Sequence, residues 1–131
     1  MNRAVKLLLV EDEPLILMDL EFAVEDLELG YFSARSIERA LMLIERHRPI
    51  IGAAVLDATL DNDQPCLPVA ARLGECGIPY ILHTGDLNRY NENINCLAAP
   101  IIAKPAPASR VIELALEHAR GTGFVAKAAS A

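Results

Sequence analysis

Residues 50–57 read IIGAAVLD, a run of apolar side chains that ends abruptly in an aspartate. A run this short and this uninterrupted is typical of a strand buried on both faces, as the strands of parallel sheets are. A second run, AVKLLLV at 4–10, ends in two acids, Glu11 and Asp12, shortly before Pro14. The two runs therefore predict two strands of a buried parallel sheet.

Apolar residues at helical spacing fill the segments between further short apolar runs. Pro14 suits the first turn of a helix and Gly30 suits its end, while Ser36 can cap the next helix. The four predicted helices span residues 14–29, 37–47, 67–76 and 108–120. The remaining predicted strands span residues 31–34, 79–83 and 100–103. A polar loop is predicted from Thr59 to Gln64.

Strands that alternate with helices predict a doubly wound α/β domain with a five-stranded parallel sheet, a flavodoxin-like three-layer sandwich. The domain is expected to span residues 1–120, and residues 121–131 are expected to form a disordered C-terminal tail. Residues 85–97 contain four asparagines and little apolar periodicity, so a loop or a distorted turn is as plausible there as a helix.

Composition limits the classes of function. The chain has 131 residues, of which 53% are apolar and 23% charged, as expected for one packed domain. Its net charge of −6 and its 12 scattered Lys and Arg residues argue against a nucleic-acid partner. The three cysteines form no CxxC pair, and the first apolar run is too short for a signal peptide or a membrane span. We therefore expect a cytoplasmic protein with no membrane partner.

Polar residues follow the predicted strands at the ends where ligands bind in sheets of this type. They are Glu11, Asp12, Asp57, Thr84 and Lys104. Three carboxylates in one crevice would repel one another unless a cation held them, and Mg²⁺ (or Mn²⁺) suits such oxygen ligands. An aspartate in this setting can act as a nucleophile toward a phosphoryl group.

The proposed chemistry gives each remaining polar group a role. Lys104 would neutralise charge on the phosphoryl oxygens, and the Thr84 hydroxyl would donate a hydrogen bond to one of them. The bond between Lys104 and Pro105 is one that can be cis. Each residue alone also fits a structural role, for example Asp57 opening a turn or Glu11 and Asp12 favouring a helix dipole, so the hypothesis depends on their joint presence.

Four short motifs in order, VEDE at 10–13, LD at 56–57, HTG at 83–85 and KP at 104–105, resemble the response-regulator receiver family over nearly the whole chain. The resemblance implies that Asp57 is the phosphoacceptor, with Thr84 and Lys104 as the switch hydroxyl and the lysine. It also implies a Mg²⁺ site formed by Glu11, Asp12, Asp57 and the main-chain carbonyl of Thr59.

The resemblance further implies a signalling protein and not an enzyme, apart from slow autodephosphorylation. A sensor histidine kinase or a phosphotransfer protein would supply the phosphoryl group. Since no output domain follows the last predicted helix, we expect a single-domain regulator that acts through an unknown downstream protein, with homodimerisation left open. The stretch PYILHTGDL at 79–87 also resembles the FAT GUY subgroup, from which His83 and Asp86 depart.

One departure concerns signal output. Receivers usually carry Tyr or Phe three residues before the lysine, and here that residue is Ile101. The usual switch between threonine and aromatic side chain cannot operate in that form, so residues 85–97 become the candidate responsive segment.

The hypothesis of a phosphoacceptor receiver has three alternatives. A receiver-like module could bind a partner constitutively, but Asp12, Asp57 and Lys104 are all present. A flavodoxin-like site would need donors in its first loop, whereas Glu11 and Asp12 would repel a phosphate. A haloacid-dehalogenase-type phosphatase would need a second aspartate at Thr59. The three histidines lack metal-site spacing, and the side chain of His83 is expected to face away from that of Thr84.

Overall fold

The computed structural model describes residues 5–60, 64–85 and 99–121. Within these residues there are seven strands: β1 Lys6–Val10, β2 Gly30–Ala34, β3 Ile51–Asp57, β4 Thr59–Leu60, β5 Gln64–Pro65, β6 Tyr80–Thr84 and β7 Ile101–Ala103. Four α-helices accompany them: α1 Pro14–Asp26, α2 Ile37–His47, α3 Leu67–Glu75 and α4 Ala108–Gly121, with a short 3₁₀ turn at Arg48–Ile50.

Five of the strands form one parallel sheet in the order β2-β1-β3-β6-β7. The predicted doubly wound five-stranded sheet is therefore confirmed. The chain leaves β1 for β2 on one side and then crosses to β3 on the other, so the order reverses between β1 and β3. In sheets of this kind, that reversal opens a crevice at the carboxyl ends of the strands.

The sheet is buried between two helical layers. On one face Leu56 of β3 packs in a cluster with residues of α2 and α3, and on the other face Val55 packs in a cluster with residues of α1 and α4. All seven residues of β3 are buried, which explains its continuous apolar run. Among the described residues, no helix combines the length and the hydropathy that crossing a membrane would require.

The helix boundaries agree with the predictions at most ends. Ser36 caps α2 as expected, because its Oγ accepts a hydrogen bond of 3.1 Å from the backbone N–H of Arg39. The predicted end of α1 at Leu29 was wrong. The helix ends three residues earlier, at Asp26. Glu28, two residues beyond that end, adopts a left-handed conformation with φ of 61°, which turns the chain out of the helix.

The predicted stop at Gly30 was also wrong, because this residue begins β2 and pairs with Lys6 of β1. The predicted loop from Thr59 to Gln64 contains a two-residue antiparallel ladder, in which Thr59 pairs with Pro65 and Leu60 pairs with Gln64. Of the segment 85–97 the structure describes only Gly85. Of the predicted tail, 121–131, it describes only Gly121.

Candidate functional site

The carboxyl edge of the sheet carries the predicted polar residues. Glu11 follows the last residue of β1, Asp57 ends β3, Thr84 ends β6 and Lys104 follows β7. The parallel register brings these ends level, since Val10 pairs with Leu56 in the β1–β3 ladder. The topology therefore gathers residues that are far apart in the sequence.

Three carboxylates form what we call the acidic cluster: Glu11, Asp12 and Asp57. One oxygen from each lies within 4.8 Å of the others. Glu11 is 1% exposed and Asp57 is 5% exposed, so two of the three negative charges are held away from bulk water. Such an arrangement is electrostatically unfavourable unless positive charge lies beside it.

Lys104 supplies part of that positive charge. Its Nζ lies 3.1 Å from Glu11 Oε1, 3.2 Å from Glu11 Oε2 and 3.4 Å from Asp57 Oδ2. Its backbone N–H donates a hydrogen bond of 2.8 Å to the carbonyl of Thr84, which fixes the start of the connection after β7. The Lys104–Pro105 peptide bond is cis.

The main chain fixes Glu11 in position. Its backbone N–H donates to the carbonyl of Ala34 at 3.0 Å, and its Oε2 accepts a hydrogen bond of 3.2 Å from the backbone N–H of Glu13. Its Oε1 is buried and contacts Lys104 as an ion pair, but has no well-directed hydrogen bond within the described part of the chain. This oxygen therefore still has a lone pair that could bind a metal ion.

The donor set fits a hard divalent cation. The acidic cluster offers only oxygen ligands, which Mg²⁺ and Mn²⁺ prefer. Three carboxylates and one lysine leave two negative formal charges, which one divalent ion would neutralise. Thr59 begins β4 two residues beyond Asp57, and the ligand role of its carbonyl stays a prediction.

Thr84 lies at the same edge, in the strand beside Asp57. Thr84 is 1% exposed. In the ladder between β3 and β6, Asp57 pairs with His83, the residue that precedes Thr84. Ile101 occupies β7 opposite Leu82 and is 38% exposed, so the position expected to carry an aromatic ring holds a partly exposed aliphatic side chain.

His83 departs from the structural role expected for it in one respect. The ring is 3% exposed, and neither ring nitrogen has a hydrogen-bond partner among the described residues. Burial, and secondarily the charge of Lys104, lower the pKa of His83 to about 4. The ring is therefore neutral at pH 7. The HTG motif indicated its position, but nothing in the sequence indicated the missing partners.

Cys66 is a second neighbour of the site, and sequence reasoning gave it no role there. It is 2% exposed, and its backbone N–H donates to the carbonyl of Ala58, the residue after Asp57, at 2.9 Å. Burial raises the pKa of the Cys66 thiol to about 12, with a further contribution from the charge of Asp57. The thiol is therefore neutral and helps to make the surroundings of Asp57 apolar.

Comparison with known proteins places the fold. No protein-family model matches the chain, and no curated protein matches it. Solved structures do. A response regulator receiver protein from Sinorhizobium medicae is 20% identical with a TM-score of 0.77, covering 90% of this chain and 96% of that one.

Two further structures agree. A CheY-like response regulator receiver domain protein from Methanospirillum hungatei is 20% identical with a TM-score of 0.77, covering 92% of this chain and 98% of its own. The signal receiver domain of a modulated diguanylate cyclase from Desulfovibrio desulfuricans is 25% identical with a TM-score of 0.72, covering 92% and 99%. The FAT GUY resemblance stays a prediction. The chain has the fold of response-regulator receiver domains, which confirms the resemblance read from its motifs.

Proposed function

We propose that this protein is a response-regulator-type phosphoacceptor and that Asp57 receives the phosphoryl group. The observation that carries the proposal is the grouping of Asp57 with two further carboxylates and with the Lys104 ammonium at the switch point of the sheet. A site made for a neutral ligand would not gather these charges.

In the proposed reaction a carboxylate oxygen of Asp57 attacks phosphorus in line with the leaving group. The new bond joins this oxygen to phosphorus, and the bond from phosphorus to the donor breaks. With a histidine kinase or phosphotransfer protein as donor, the leaving group is a histidine nitrogen, which recovers its electron pair and takes up a proton from solvent. With acetyl phosphate, acetate leaves.

The side chains around Asp57 would stabilise the charge on the phosphoryl oxygens. Lys104 already lies 3.4 Å from Asp57 and can turn to a phosphoryl oxygen while staying near Glu11. The buried hydroxyl of Thr84 can donate a hydrogen bond from the neighbouring strand. These two donors come from different strands, so phosphorylation would link the ends of β6 and β7.

The acidic cluster would hold Mg²⁺ or Mn²⁺, joined by the Thr59 carbonyl according to the family resemblance. When bound, the ion supplies Lewis-acid stabilisation of the phosphoryl oxygens. Burial of Glu11 and Asp57 makes this neutralisation matter more than it would at the surface.

The signal would pass to another protein, as the resemblance implies, and the protein would act in the cytoplasm. The net charge of −6 supports a protein partner over nucleic acid. We do not expect turnover of a substrate beyond slow hydrolysis of the aspartyl phosphate itself.

The experiment is incubation with acetyl phosphate and Mg²⁺ followed by intact-mass measurement. The expected result is one added phosphoryl group, lost with a chelator and absent in Asp57→Asn. Asp26→Asn, which removes an exposed carboxylate at the end of α1, is the matched control and should be labelled like the wild type. Unlabelled wild-type protein in the presence of Mg²⁺ would contradict the proposal and favour constitutive partner binding.

A further inference from the structure

A cavity of about 210 Å³ is lined in part by Lys104, the residue that also contacts the acidic cluster. It opens between α1 and the connection from β7 to α4. Its polar lining residues are Asp19, His83 and Lys104. Its apolar lining residues are Ile16, Leu20, Pro105, Ala106 and Ala108. The cavity is thus mostly apolar with a few polar groups, as small-molecule sites are.

The size of the cavity limits what it can hold. Pockets for drug-sized ligands have volumes of roughly 300–1,000 Å³, which exceed this one. An engineered apolar cavity of about 150 Å³ holds one benzene molecule. A volume of about 210 Å³ therefore suits one six-membered ring with a small substituent.

His83 indicates the chemistry of that substituent. The ring is buried and lines the cavity, yet its two nitrogens have no hydrogen-bond partner among the described residues. A neutral imidazole offers one N–H donor and one acceptor nitrogen. Both nitrogens are enclosed in the structure, so a ligand reaches one only after the ring turns about χ2, a soft torsion whose rotation exchanges the ring edge that lines the cavity. A hydroxyl group, which donates and accepts, is the smallest group that can satisfy either one.

We propose that this cavity is a binding site for a small phenol-type molecule, whose ring packs between α1 and the β7–α4 connection and whose hydroxyl bonds to His83. A charged head group fits less well, because the rim carries both the Asp19 carboxylate and the Lys104 ammonium. The site is separate from Asp57, although Lys104 is common to both.

The shared lysine gives the site a consequence for phosphorylation, and this consequence depends on the proposed function. A ring bound beside Lys104 restricts the movement of the ammonium toward a phosphoryl group. Occupancy should therefore slow labelling of Asp57 by acetyl phosphate.

The test is an NMR titration of the intact protein with phenol and, separately, with toluene. Phenol should cause saturable amide shifts at Ile16, Leu20 and Ala106, with a Kd roughly three- to tenfold lower than that of toluene, the range of one net hydrogen bond. In His83→Leu, a variant of similar volume without ring nitrogens, the preference for phenol should be lost or reversed, because the phenol hydroxyl is desolvated without its imidazole partner. In Ala106→Leu, which fills the cavity, both probes should lose their saturable shifts.

The amide spectrum of each variant shows directly whether it is folded, so a failure to bind can be separated from a failure to fold. Absence of saturable shifts at the cavity in the wild type, or a preference for phenol that persists in His83→Leu, would overturn the site. Labelling measured with and without saturating phenol tests the consequence, and an unchanged rate would overturn that consequence alone. Because the shifts do not require phosphorylation, failure of this proposal and failure of the phosphoacceptor proposal are distinguishable.

Discussion

Lys104 and Arg72 each lie between two carboxylates, and their surroundings differ mainly in burial. Lys104 lies 3.1 Å from one carboxylate and 3.4 Å from another within the acidic cluster. Arg72 of α3 donates from Nη1 to Glu75 Oε1 at 2.8 Å, and from Nε and Nη2 to the two carboxylate oxygens of Glu45 of α2 at 2.5 and 3.1 Å. The carboxylate side chains are 1% and 7% exposed around Lys104, but 52% and 65% exposed around Arg72.

Similar distances between charged atoms therefore correspond to electrostatic interactions of different strength. Around Arg72, water screens the charges and hydrates any group that loses its partner, so the pairs contribute little to stability. Around Lys104, the partners are held away from water, and any change of charge is felt strongly. Burial, and not the presence of short contacts, therefore distinguishes the charge cluster of the proposed phosphoacceptor site from the surface ion pairs of Arg72.

The strongest test of this comparison is Lys104→Met. Removing the ammonium should slow labelling by acetyl phosphate about a hundredfold, since a preorganised charge on the phosphoryl oxygens is lost. The same change should increase the affinity for Mg²⁺, because a competing cation leaves the acidic cluster. Arg72→Met is the control and should label at the wild-type rate. Normal labelling of Lys104→Met would remove the lysine from the mechanism.

His83 lines the same cavity as Lys104 and is buried, so its pKa measures how far this part of the molecule is held away from water. Its pKa is about 4 in the folded protein, below the ordinary value of about 6.5. Because the folded state favours the neutral ring, this contribution to stability is complete above about pH 6.5 and is lost as the pH falls toward 4. The loss should be about 3 kcal/mol, at 1.36 kcal/mol for each pKa unit.

Urea unfolding of the wild type and His83→Leu between pH 7 and pH 4 measures this loss. Carboxylates titrate in both proteins, so the difference between the two free energies of unfolding isolates His83. The variant should gain on the wild type by about 3 kcal/mol across the range. Parallel pH profiles would show that the His83 ring is hydrated in the folded protein, as the carboxylates around Arg72 are.

A smaller effect is expected from Mg²⁺ itself. At a concentration of ten times its Kd, a ligand that binds only the folded state raises the free energy of unfolding by about 1.4 kcal/mol. We expect this increase in the wild type and its loss in Asp12→Asn, measured by urea unfolding with Mg²⁺ or with a chelator. The carboxylates around Arg72 are paired and hydrated, so Glu75→Gln should leave the Mg²⁺ effect intact.

Much of the fold and of the acidic cluster could be predicted because short apolar runs in the sequence identify the strands of a parallel sheet. The continuous apolar run before Asp57 predicted a strand buried on both faces, and the structure buries every residue of it. Once the strands were known to be parallel, their carboxyl ends had to share one edge, which placed Glu11 and Lys104 beside Asp57.

The parts that could not be predicted depend on contacts without a periodic signal. The ladder of β4 and β5 is two residues long on each side, too short to produce an alternating pattern. The early end of α1 depends on the left-handed conformation of Glu28, which is uncommon for a residue other than glycine. The HTG motif indicated the position of His83, but its lack of hydrogen-bond partners among the described residues follows from the packing around it.

The smallest expected effect comes from Arg72→Met. The substitution removes hydrogen bonds to Glu45 and Glu75, and the bond to Glu45 lowers the pKa of that carboxyl in the wild type. Both carboxylates remain exposed and can be hydrated, so the free energy of unfolding should fall only slightly, and by less at high salt. Urea unfolding at low and high NaCl measures both quantities. A loss of several kcal/mol that salt does not change would mean that Arg72 is as insulated from water as Lys104, and burial would then no longer separate the two clusters.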